Sequence, residues 1–83
     1  MEHYKEAIVS WSVWGVAYCV VSGVRILGTV SSTSGGRMGW RLDNEDNKAW
    51  LALDTWRNGT PSVNGRELVD AHFGLMDDIR RYL

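Results

Sequence analysis

Apolar and polar positions alternate with period two in two stretches of this chain and recur with helical spacing in a third. Val24, Ile26 and Val30 alternate with Arg25, Thr29 and Ser31, the pattern of a strand buried on one face. Met38, Trp40 and Leu42 alternate in the same way with Arg37, Gly39 and Arg41. Upstream, Val16–Val21 is rich in β-branched and aromatic residues and apolar at every position, which predicts a central strand covered on both sides. Ser22-Gly23 supplies a two-residue turn after it, and Thr33–Gly36 supplies a loop between the next two strands. The pattern thus predicts a three-stranded antiparallel meander.

Helical spacing is clearest at the C-terminus. Leu68, His72, Leu75, Met76, Ile79 and Leu83 share one face, and Asn64 stands three residues before Glu67 in a capping-box arrangement. Arg80 and Arg81 fall in the last turns, where cations suit the helix dipole. A helix over about Gly65 to Tyr82 is expected to lie across one face of the sheet. Lys48–Arg57 fits two patterns. Ala49, Trp50, Leu53 and Trp56 form a helical stripe, but the same residues make a fourth strand reached through the polar turn Asn44–Asn47. Continuity of the meander favours the strand. Glu2–Trp14 also reads two ways: Tyr4, Ala7, Ile8 and Trp11 share a helical face, while Val9, Trp11 and Val13 alternate. The expected fold is α+β, a three- to four-stranded antiparallel meander against a C-terminal helix, with a short N-terminal helix as a further element. Residues 1–83 form one domain, since 83 residues leave no room for a second core.

Composition changes this picture at two points. Five tryptophans in so short a chain cannot all be hidden, because each ring is large and its N–H needs a partner. Some indole surface is therefore expected at the protein's edge. A domain of this size buries only about 60% of its unfolded surface, so self-association is an expected source of stability. Cys19 is the only cysteine, which excludes an intrachain disulfide and makes a reducing cytoplasm the natural setting. The uncharged run Ala7–Val24 is 18 residues long but carries serines and glycines, and it is read as part of the domain rather than a membrane span.

Charge is uneven. Between Ala7 and Leu42 there is no acid, and Arg25, Arg37 and Arg41 give that stretch +3. The following stretch to Asp54 carries Asp43, Glu45, Asp46 and Asp54 against Lys48, or −3, so a net charge of −1 conceals a basic middle and an acidic shoulder. Residues that could carry chemistry are few. Cys19 falls within an apolar segment, where a buried, inert thiol is expected. His72 lies among apolar helix positions as a core-edge residue, and His3 is near the terminus. Asp43–Asn47 alternates oxygen donors, but Lys48 stands where a calcium loop requires glycine. Ser31–Gly36 lacks phosphate-loop spacing, and Asn58-Gly59-Thr60 is read as a turn. No catalytic residue, metal or cofactor is expected.

One constellation stands out. With Val24, Ile26, Val30, Met38, Trp40 and Leu42 toward the helix, Arg25, Thr29, Ser31, Arg37 and Arg41 share the opposite face with Leu27. That acid-free surface suits phosphates or a partner's carboxylates. Arg25, Arg37, Arg41, Trp14 and Trp56 are the expected partner-binding residues, because Trp and Arg concentrate interface energy. In size, compactness and lack of motifs the chain resembles small phage- or mobile-element-encoded inhibitors of host defence, the anti-CRISPR type among them. This is a resemblance of general shape that transfers no residue. It implies a non-enzymatic protein-binding domain that occludes a host surface. The alternatives are a sheet-type nucleic-acid binder using Arg25, Arg37 and Arg41, and a small metabolite-binding or enzymatic oligomer. Another protein is the expected partner, with a second copy of the chain as a further one.

Overall fold

Ser12 and Gly23 make a helix of the most valine-rich part of the chain. The Ser12 hydroxyl accepts a hydrogen bond from the Gly15 amide at 3.1 Å, satisfying an N-terminal donor. At the other end Gly23 takes φ +97°, Val24 N donates to Cys19 O, and Gly23 N donates to Val20 O. This pair of bonds is a Schellman cap. The expected strand Val16–Val21 is therefore corrected to a helix, and Ser22-Gly23 closes that helix rather than turning a hairpin.

The computed structural model describes residues 7–32 and 36–82. Its elements are β1 (Ile8–Ser10), α1 (Val13–Val21), β2 (Ile26–Ser31), β3 (Met38–Leu42), a short 3-10 turn (Glu45–Asn47), α2 (Lys48–Asn58) and α3 (Gly65–Tyr82). One antiparallel sheet has the strand order β1-β3-β2. The fold is α+β, with three antiparallel strands and a C-terminal helix.

The third strand comes from the N-terminal segment. Ile8, Val9 and Ser10 pair with Leu42, Arg41 and Trp40. The described part of Glu2–Trp14 forms β1 and the first two residues of α1 rather than a separate N-terminal helix, and residues 1–6 lie outside the described residues. Lys48–Arg57, expected to continue the meander, is instead in α2. Asn44 is the local reason: its Oδ1 accepts from the Trp50 amide at 2.9 Å, satisfying a donor of the first turn. Asp46 and Asn47 adopt left-handed backbone, with φ of 57° and 60°, which short polar residues tolerate. The acidic shoulder thus serves as the entry to α2. The C-terminal helix covers the predicted span, with Asn64 Oδ1 accepting from the amides of Arg66 and Glu67.

The core lies between one face of the sheet and the helices. Trp40 and Leu42 from β3 meet Val16, Ala17 and Cys19 from α1, Ala49 and Ala52 from α2, and Leu75 from α3. A helix apolar on nearly every side is stable only when surrounded, and α1 is packed against both α2 and α3. No helix among the described residues is long and apolar enough to cross a membrane.

Register corrects the expected division of the sheet faces. A bulge between Ile26 and Gly28 places both Leu27 and Gly28 opposite Arg41. Beyond it, Thr29 is opposite Trp40, Val30 opposite Gly39 and Ser31 opposite Met38. Directly paired residues project to the same face. Thr29 and Ser31 therefore project to the helix side, and Val30 joins Arg41 on the other side. One extra residue exchanges the two sets, as a register slip does.

Candidate functional site

The sheet face away from the helices is organised around a missing Cβ. A Cβ on Gly39 would lie 2.7 Å from Trp11 Cε3 and 2.9 Å from the Ser10 carbonyl oxygen. The Trp11 ring consequently rests against the β3 backbone, and Gly39 is buried beneath it. The Arg37 guanidinium carbon lies 5.6 Å from the centroid of the same ring, a cation–π arrangement. Trp11 keeps 37% of its surface exposed, so the indole is held by the sheet and remains accessible. Arg41 is exposed on this face, between Val9 and Gly28 in the ladder.

Beside β1 the surface deepens into a cleft of about 330 Å³ lined by Val9, Trp11, Ser12, Arg37, Leu53 and Arg57. The sheet forms one wall and α2 the other. A neighbouring recess holds Ile8, Val9, Trp50, Leu53, Asp54 and Arg57, with Trp50 55% exposed. Asp54 is the acid at this border, and its Oδ1 accepts from Asn58 Nδ2 at 3.0 Å. Arg37, Arg41 and Arg57 form no ion pair among the described residues. Guanidinium groups can each grip a carboxylate through two parallel N–H bonds, and the indoles offer flat apolar contact beside them.

The expected partner-binding residues are divided by the structure. Arg37 and Arg41 lie on the open sheet face. Arg25 is tied to Asp43 by an ion pair of 3.2 Å, so the expected acid-free surface loses one cation to the acidic shoulder. Trp14 belongs to the helical layer, stacked on His72 at 3.9 Å between ring centroids with 41% of its surface exposed. His72 in turn meets Phe73 edge-on. Trp56 is half-buried against Tyr18, with ring centroids 5.6 Å apart. Trp14 therefore stands apart from Arg37 and Arg41, whereas Trp56 lines a recess with Ser12, Gly15, Leu53 and Arg57 that adjoins the cleft. The residues that line the cleft with Arg37 include Trp11 and Arg57. The alternation of Val9 and Trp11 carried the signal for Trp11, whereas Arg57 reaches the cleft only because α2 is a helix.

Cys19 is fully buried in α1, and burial pushes its thiol up to about 11, away from the reactive thiolate. Asp43 Oδ1 accepts from the Glu45 amide and Asn44 supports α2, so these oxygens serve the turn. No group of three or more metal-ligating side chains occurs among the described residues. The tip of the Ser31–Gly36 loop, residues 33–35, lies outside the described residues. The chain matches no protein-family model, no curated protein and no solved structure.

Proposed function

We propose that this is a protein-binding domain that docks the Trp11–Arg37 cleft and the adjoining Arg41 surface onto an acidic, partly apolar patch of another protein. The observation that carries this reading is the close seating of an accessible indole on Gly39 with a guanidinium over its ring. An anchored aromatic loses little freedom on binding, and arginine and tryptophan are the residues in which interface energy concentrates. Such a domain acts by steric occlusion. Inhibition of a host complex, of the CRISPR-Cas type among others, is the specific form of this reading.

Arginines beside an indole also suit nucleic acid, through phosphate contacts and base stacking. A net charge of −1 and the pairing of Arg25 with Asp43 weigh against that alternative, because phosphate affinity depends on concentrated positive charge. The deciding experiment is affinity capture from nuclease-treated bacterial lysate with the wild type and an Arg37→Glu/Arg41→Glu variant. Proteins held by the wild type and lost by the equally folded variant support the reading. Equal capture by both proteins overturns it. A duplex or single-strand gel shift that collapses with salt and disappears in the same variant would establish nucleic acid instead.

A further inference from the structure

The second surface of consequence is the outer edge of β2. In the sheet order β1-β3-β2 this strand pairs, among the described residues, on one side only, with β3. Its sequence, Ile-Leu-Gly-Thr-Val-Ser, carries no charge and no proline, the usual devices that protect an edge from pairing. The bulge at Leu27 and Gly28 guards one end and leaves the rest.

The direction of the backbone groups follows from the ladder. Ser32 N donates to Arg37 O at 2.8 Å, so residues 32 and 37 form a hydrogen-bonded pair. Antiparallel pairs alternate, which makes Ser31 with Met38 and Thr29 with Trp40 the non-bonded pairs. The N–H and C=O groups of Thr29 and Ser31 therefore point away from β3, and no described residue bonds to them. Two outward residues separated by Val30 make a self-complementary template.

We infer that two copies of the chain associate through their β2 edges, antiparallel about a two-fold axis at Val30, to form one continuous sheet. Thr29 of each copy bonds to Ser31 of the other, and the contact is isologous. On the helix side the Thr29 and Ser31 hydroxyls face one another across the seam. On the open side the two Val30 side chains meet. The groove beside this edge, about 460 Å³, is bordered on α3 by Asp78 and Arg81, which pair with each other at 3.3 Å and so present no block of one sign to a second copy. Such a dimer leaves the two Trp11 clefts at opposite ends of the joined sheet, beside β1.

Sedimentation equilibrium from about 10 µM to about 1 mM tests this, a range that reveals even weak association. The weight-average mass is expected to rise from the 9.4 kDa of one chain toward twice that value. Thr29→Pro removes one outward N–H and leaves the β3 ladder whole, and Thr29→Lys places a charge on the edge. Each is expected to weaken association at least tenfold while far-ultraviolet circular dichroism is unchanged; Thr29→Lys is the reading to use if the proline variant does not fold. Val30→Cys, at the close non-bonded pair across the axis, is expected to form an intermolecular disulfide under mild oxidation. A mass of 9.4 kDa throughout, a dimer insensitive to both Thr29 variants, or a Val30→Cys chain that stays uncross-linked would overturn the inference.

Discussion

Trp40 shows at the residue scale how burial outweighs an unmet polar group. It has no exposed surface, and its indole N–H meets no acceptor among the described residues. An unsatisfied buried donor costs about 1–3 kcal/mol. Truncating a core tryptophan removes more, so Trp40→Ala is expected to lower unfolding free energy by about 3–5 kcal/mol in urea denaturation. A loss below about 1 kcal/mol would place the ring outside the core. Gly39→Ala acts differently, since its methyl meets both Trp11 and the Ser10 carbonyl. Overpacking of this kind is expected to cost about 1–3 kcal/mol and to displace the indole, weakening capture of the partner together with stability. Cys19 sets a pH dependence. Its folded thiol titrates near 11, above the ordinary thiol value of about 8.5, so the native state holds its proton longer than the unfolded chain. Stability is unaffected below about pH 8 and falls as pH rises toward 11. Cys19→Ala is expected to flatten that alkaline slope in denaturation curves taken across the interval.

Caps decide the elements more than propensity does. Ser12 and Asn64 each place an oxygen on the first amides of a helix, and Ser12→Ala or Asn64→Ala is expected to cost about 1 kcal/mol in equilibrium denaturation. The Asn64 cap and the apolar stripe of α3 were legible from sequence because both are local and agree. In α1 the local signals conflict. Its valines favour a strand, and an apolar run of that length has no period that separates a buried strand from a buried helix. Ser12 and Gly23 mark both ends, but Ser22-Gly23 is equally a hairpin turn until the Schellman bonds form. The arginine face was half legible. Alternation placed Arg37 and Arg41 together, while the bulge at Leu27, which nothing in the period announces, moved Val30 to their side and Thr29 and Ser31 away.

For the whole molecule, the uneven charge resolves into separate duties. The acidic shoulder starts α2 and pairs with Arg25, while Arg37 and Arg57 stand beside Trp11. The exposed Arg25–Asp43 pair adds little stability, at most about 1 kcal/mol. A chain of this size is expected to gain from association through β2. Its Tm is accordingly expected to rise with protein concentration in the wild type and to be independent of concentration in Thr29→Lys. A constant wild-type Tm over a hundredfold range would count against the joined sheet.

The chain by itself determined what depends on neighbours within a few residues: the span and cap of α3, the alternation of β3, and a surplus of indoles too large to bury. The tertiary structure decided which partner each ambiguous segment found. Val13–Val21 became a helix because it sits among a sheet and two other helices, and β1 gained its place only by pairing with β3. The cleft follows from the same cause, since Trp11, Gly39, Arg37 and Arg57 come from three segments that meet only when the sheet and α2 are assembled.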